Sequence, residues 1–355
     1  MNDVLTLRSH DEVISYIPHI LGFRDPQGMV CLPMGGGPIA RLDIPDSPEA
    51  NEAFLDALAE TYLHRHPTRR MVLVAFGEDQ KACVDALSAL SARLVSDPRG
   101  PDVGPVLWVN GEEWFDVLEG TSGTVDPSER RRVDAQFALM GRAMPVSSRD
   151  ALAAAMQGDP AGVAEHLPAA EDRVLGMGLS ARTAEVTWLD SRLDEFLETQ
   201  ERLSDVDAAR VLAIVHDTGA RDAAIFKLTR ETAPVFSDFW QDLVRRAPSD
   251  VRDGPATLLA LSAYVKGDGA KAWTALEQLV EHDTLADLVT DALEKSIHPE
   301  TIARTIQAAK AARTPGSTGL QQAALQSPIT RAQDRPENNG PGLGTAGPGT
   351  TPPSR

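Results

Sequence analysis

The rhythm of apolar positions changes along the chain, and the changes mark its elements. Behind Ser9-His10-Asp11-Glu12, a capping box of the S-x-x-E form, Val13, Ile14, Ile17, Ile20 and Leu21 recur at helical spacing. Pro18 is expected to interrupt that helix or to open a second short turn, and Gly22 to stop it. The period then shortens. Met29-Val30-Cys31-Leu32 reads as a buried strand, Gly35-Gly36-Gly37-Pro38 as a turn, and 39–44 as an alternating strand, together a hairpin. Ser47 and Pro48 open a helix predicted to run to about His64, with Phe54, Leu55, Leu58, Tyr62 and Leu63 on its apolar stripe. Residues 71–76, Met-Val-Leu-Val-Ala-Phe, give the strongest buried-strand signal in the chain. Gly77-Glu78-Asp79 ends it, and a helix follows to about 95 with Val84, Leu87, Leu90 and Leu94 on one side. A strand at 106–109, the turn Asn110-Gly111 and a returning strand at 113–117 predict a second hairpin. Elements alternating in this way build a layered α/β unit.

From Ser128 onward strand signals disappear. Helical segments follow, divided by Gly-Asp-Pro at 158–160, Asp-Thr-Gly at 217–219, Ala-Pro-Ser at 247–249 and Gly-Asp-Gly at 267–269. One pair, 255–266 and 270–282, reads as an antiparallel helix hairpin, with a further helix at 285–296. A tetratricopeptide-like stretch occurs once, with no second copy at a fixed period, so a repeat array is not expected. Ser147-Ser148-Arg149-Asp150 opens a fresh capped helix and marks a boundary. The predicted organisation is therefore an N-terminal α/β domain (1–147), a layered mixed sheet with helices, followed by an all-α helical domain (148–313). Residues 314–355 hold seven Gly and seven Pro and few large apolar groups; they are expected to be a disordered C-terminal tail.

Charge narrows the function classes. The 355 residues carry a net −18, and the tail contributes +1 of that, so the remainder holds about −19. Such a surface repels phosphate backbones, which disfavours nucleic acid as a partner in spite of the run Arg130-Arg131-Arg132. No apolar run approaches the roughly 18 residues that span a bilayer, and the N-terminus has no signal-peptide pattern, so no membrane association and a cytoplasmic setting are expected. Two cysteines make no disulfide framework, in keeping with a reducing compartment. Basic residues divide into 28 Arg and 6 Lys, the usage of a GC-rich genome.

The series LRSHDEVISYIPHILGF, ARLDIP, MVLVAFG, WVNGEEWF, PVSSRDALAA and YVKGDGAKAWTALEQLVEHD resembles, in content and order, an actinobacterial family catalogued as domain of unknown function 4192. The resemblance spans 5–293 and implies a fold, an actinobacterial host and a cytoplasmic setting; no activity is established for the family, so it implies no catalytic residues. Similar family members often carry a small Cys- and Pro-rich cluster after the Trp-containing hairpin. Here the segment 119–127 has no Cys, so any metal or redox role of that cluster is absent from this chain.

Local motifs yield little chemistry. The glycines at 35–37 precede Pro38 and another strand, unlike a P-loop or dinucleotide fingerprint, and read as a turn. His64-Arg65-His66 ends a helix, where the negative dipole end favours such residues; with no third ligand nearby in sequence, no metal is expected, and no cofactor. Cys31 and Cys83 fall at apolar positions and are expected to be buried and inert. Gly178-Leu179-Ser180-Ala181 is only half a nucleophile elbow. What remains is a set of polar residues at predicted strand ends and flanking the first helix. Arg8, His10, Asp25, Asp43, Glu78 and Asp79 are the candidate ligand-binding residues, with capping as the competing role for Asp79. Catalytic residues are not identifiable.

Two function classes follow. The favoured one is a non-catalytic interaction or ligand-sensing protein, whose helical domain presents a groove to a protein partner. The alternative is a small-molecule-binding enzyme with its site at the strand ends; it requires Arg8, His10, Asp43, Glu78 and Asp79 to converge on one pocket.

Overall fold

The computed structural model describes residues 7–24, 28–35, 37–44, 55, 56, 58, 66–140 and 144–312. Asp25, Gly36, His64, most of the helix expected at 47–64 and the segment 314–355 lie outside the described residues.

Among the described residues six strands form one mixed sheet: β1 (Gly28–Met34), β2 (Ala40–Leu42), β3 (Arg70–Phe76), β4 (Asp102–Asn110), β5 (Glu113–Asp116) and β6 (Thr121–Thr124), in the order β2-β1-β3-β4-β5-β6. Only β3 and β4 run parallel, joined through helix α2 (Gln80–Ser96); the other neighbours are antiparallel. The β1–β2 hairpin is present, with Met29 opposite Leu42. Its turn includes Gly35 and Gly37 at φ +99° and +125°, values that side chains with a Cβ rarely adopt.

Strand β3 shows why the sheet has two cores. Successive side chains point to opposite faces. Val72, Val74 and Phe76 join Val30, Leu32, Leu107 and Val109 under helix α1 (His10–Leu21), which contributes Val13, Ile14, Ile17 and Leu21. Met71, Leu73 and Ala75 join Met29, Cys31, Val106 and Trp108 under α2, which contributes Cys83, Leu87, Leu90 and Leu94. A strand covered on both faces needs an unbroken apolar run, and that is what 71–76 supplies.

Helix α1 departs from expectation in two details. It continues through Pro18 to Leu21, where Gly22 caps it by donating to the Pro18 carbonyl at 2.8 Å. The proline ring sits among buried α1 residues, so packing offsets the lost backbone bond. Ser9 caps the helix by accepting from the Glu12 amide, but the Glu12 carboxylate reaches the Arg8 amide rather than that of Ser9, its other oxygen being held by Arg132. Arg132 belongs to α3 (Pro127–Leu139), which packs against α1.

The rest is helical: α4 (Arg149–Ala154), α5 (Ala161–Ala164), α6 (Leu167–Leu175), α7 (Leu179–Thr199), α8 (Asp205–Ile214), α9 (Thr218–Ile225), α10 (Ala233–Arg246), α11 (Asp253–Lys266), α12 (Gly269–Leu276), α13 (Thr284–Glu294) and α14 (Pro299–Ala312). Residues from Met156 to Ala309 share one apolar core. Its axis is α11, buried on all sides from Gly254 to Val265 as an all-round apolar helix must be. The expected partner helix at 270–282 ends early, at Leu276. The Asp253 carboxylate accepts from the amides of Val280 and Glu281 at 3.1 and 2.9 Å, drawing the chain out of helical register. Sheet and helices meet through Leu152 of α4 and Ala270 of α12 in the α1-side core, and through His66 on the Ser296 carbonyl. Among the described residues no helix is long and apolar enough to cross a membrane.

Candidate functional site

Strand β5, Glu-Trp-Phe-Asp, follows the two-residue period: Phe115 packs toward the α2-side core, whereas Trp114 packs toward the α1 side. Asp116, two residues on and opposite Leu107, therefore occupies a core position on the α1 side. It is 1 % exposed. The first turn of α1 crosses above it and is pinned there by Asp11. One Asp11 oxygen accepts from the Trp114 indole at 3.0 Å, and the other from the Asp126 amide at 3.3 Å, just before α3. The Trp114 indole also lies so close to β6 that a Cβ at Gly123 would stand 2.6 Å from its ring.

The residue preceding Asp11, His10, is thereby aimed at Asp116. Its ring meets Trp114 edge-on, with centroids 4.7 Å apart, and its Nε2 stands 3.4 Å from Asp116 Oδ2. The two Asp116 oxygens have different fates. Oδ1 accepts from the amides of Leu118 and Glu119 at 2.8 and 3.1 Å, which starts the β5–β6 turn. Oδ2 is buried and has no hydrogen-bond partner. Leaving such an atom unsatisfied costs roughly 1–3 kcal/mol, more when it carries charge. That turn carries Glu119, whose carboxylate completes a group of three: donor atoms of His10, Asp116 and Glu119 all lie within 4.8 Å of one another.

Of the sequence-predicted residues, His10 alone is in this group. Arg8 is exposed, and its amide serves Glu12. Asp43 is exposed and paired with Arg41 at 2.9 Å. Glu78 is exposed in the turn after β3, and Asp79 caps α2 by accepting from the Ala82 amide at 3.0 Å. Asp43, Glu78 and Asp79 follow β2 and β3 at one end of the sheet, with β1 between them. Strand β5 runs away from that end, and its closing turn lies beside the middle of β4, where the Val117 amide donates to the Val106 carbonyl at 2.8 Å. Asp25 lies outside the described residues.

Sequence reasoning missed Asp116 and Glu119. The available signal was the placement of Asp116 two residues after Trp114, an acidic side chain at a core position of the strand period.

Other titratable groups have structural surroundings. Burial pushes the Cys31 thiol up to about 12 and raises that of Cys83, and neither sits in a disulfide. His19 in α1 stacks on Phe137 with its Nε2 2.6 Å from Asp134, and burial holds its imidazole below the ordinary range. In the basic run, Arg130 pairs with Glu112 and Arg132 with Glu12 and Glu129. Ser180 lies within the first turn of α7, not on a strand-to-helix elbow.

No curated protein and no solved structure matches the chain. One family model does, over residues 11–300, and it carries the description Domain of unknown function (DUF4192). That span begins one residue after His10 and takes in the rest of α1, the described sheet and most of the helical core, with His10's partners Asp116 and Glu119. The chain belongs to the DUF4192 family.

Proposed function

We propose that this chain is a non-catalytic, ligand-sensing protein whose ligand is held where the first turn of α1 crosses β5. One observation carries the reading: a carboxylate oxygen of Asp116 is buried beside His10 with no hydrogen bond to satisfy it. A group of this kind is stable when a ligand supplies the missing partner. Buried thiols and the engagement of Asp79 as a helix cap support a non-catalytic role. A cytoplasmic, actinobacterial setting is part of the same proposal; the predominance of Arg over Lys supports the host.

A thermal-shift screen of ions, nucleotides and metabolites tests the reading. A ligand at 100 times its dissociation constant adds about 2.7 kcal/mol of stability, and the shift should vanish in His10→Ala. Equal shifts in both proteins, or none for any compound, would count against it.

A protein partner on the helical half is a second proposal, supported by Leu175 and Leu179, which flank the turn between α6 and α7 at 83 and 87 % exposed. A partner co-purifying equally well with the Leu175→Gln/Leu179→Gln variant would place the contact elsewhere.

A further inference from the structure

We infer that the ligand of this site is a divalent first-row transition cation, bound by His10 Nε2, Asp116 Oδ2 and a Glu119 carboxylate oxygen. The inference rests on the reading of the site just given and names its ligand.

Distance is the first argument. An N–H···O hydrogen bond is about 2.9 Å long; His10 Nε2 and Asp116 Oδ2 stand 3.4 Å apart, an ion pair when the imidazole is protonated but not a hydrogen bond. Two ligands bound about 2.1 Å from one tetrahedral ion are separated by about 3.4 Å. The spacing is long for a hydrogen bond and right for a shared ion. Glu119, exposed on the β5–β6 turn, lies in the same group, with a donor atom of each of the three residues within 4.8 Å of the other two. Its exposure leaves the outer side of the ion to water.

Charge is the second argument. Two carboxylates oppose a dication's charge, whereas the amino end of α1 contributes only about half a positive charge. The Ser9 hydroxyl and the Glu12 carboxylate already accept from backbone amides at that end. Support around the ligands is the third. The Leu118 and Glu119 amides fix Asp116 through Oδ1, leaving Oδ2 directed at the site, while Trp114 steadies the His10 ring and is itself held by Asp11. The donor set decides the class of ion. An imidazole nitrogen suits zinc, iron or nickel better than magnesium or calcium, the two carboxylates also admit manganese, and they disfavour soft monovalent copper.

The test uses the untagged full chain, stripped with a chelator and titrated calorimetrically with Zn²⁺ and Mn²⁺, with Mg²⁺ as the control. Co²⁺ d–d absorption reports the coordination number of the bound ion. The expected result is one site per chain, preferring Zn²⁺ or Mn²⁺ to Mg²⁺, weakened at least tenfold in both His10→Ala and Glu119→Gln. Glu119 is exposed, so its variant retains the fold even where His10→Ala does not. Binding that is absent, equal in wild type and Glu119→Gln, or no tighter for Zn²⁺ and Mn²⁺ than for Mg²⁺ overturns the assignment. A metabolite whose stabilisation is lost in His10→Ala, in a chain that binds no metal, would retain the ligand site and remove the cation.

Discussion

Asp116 in the sheet and Glu185 in the helical half are each 1 % exposed, yet their surroundings differ. Both oxygens of Glu185, on α7, are taken: Arg210 from α8 approaches through Nε and Nη2, and Arg173 from α6 adds a contact at 3.2 Å. The Arg210 guanidinium in turn lies 3.6 Å over the Trp188 ring. The result is a closed structural joint between three helices. Asp116 has one oxygen bonded by its own turn and one with no hydrogen bond, facing only the His10 imidazole at 3.4 Å. Burial alone therefore does not separate a structural carboxylate from a functional one. The accounting of its lone pairs does.

The sharpest way to break that contrast is Glu185→Gln. It leaves Arg210, three-quarters buried, without its counter-charge, and the expected loss is about 3 kcal/mol, read from the midpoint of urea unfolding at unchanged slope. Asp116→Asn keeps the acceptor for Leu118 and Glu119 while removing a buried charge. In the ligand-free chain it should leave stability within about 1 kcal/mol of wild type or raise it. A loss as large as that for Glu185→Gln would show Asp116 to be a structural carboxylate after all.

Acid sharpens the comparison by separating groups in pH. The Arg210 hydrogen bond holds the Glu185 carboxyl below its ordinary value of 4.5, so the unfolded chain takes up that proton first. Its contribution is complete above pH 4.5 and is lost as pH falls through the folded value. His19 acts earlier. Burial lowers its imidazole from 6.5, so the unfolded chain again binds the proton more readily, and stability should begin to fall below pH 6.5. His19→Gln should flatten the upper part of a stability profile measured between pH 7 and pH 5; an unchanged slope there would remove His19 as the cause. The smallest effect is expected for Arg173→Ala. Arg173 is more than half exposed, and its loss should cost under 1 kcal/mol. A cost matching Glu185→Gln would shift the weight of the joint from Arg210 to Arg173.

Most of the sheet was legible because its strands obey simple periods. The run 71–76, the Gly-rich hairpin and Asn110-Gly111 each carry a local signal that packing reinforces. Strand β6 left no such trace: Thr-Ser-Gly-Thr is mostly exposed and pairs through its backbone with β5, so no apolar pattern was needed. The early end of α12 was hidden for a related reason, since the Asp253 carboxylate that captures Val280 and Glu281 lies far back in sequence. The candidate site was a third legible. His10 stood out because capping did not require it, whereas Asp116 and Glu119, more than a hundred residues later, resemble ordinary turn residues until the α1-to-β5 crossing brings them beneath it.

The short strands at the two margins of the sheet bear on how the protein behaves in crowded solution. β3, the most apolar strand, has both its backbone edges occupied by β1 and β4, and among the described residues the sheet terminates in β2, three residues long, and β6, a four-residue polar strand with a glycine. Unpaired strand edges template the pairing of one molecule with another, and length and apolar character make them hazardous. Here a second chain would find only three or four peptide units to pair with at either margin. The sheet thus ends in two poor nuclei for intermolecular β-structure, while its aggregation-prone segment stays in the interior.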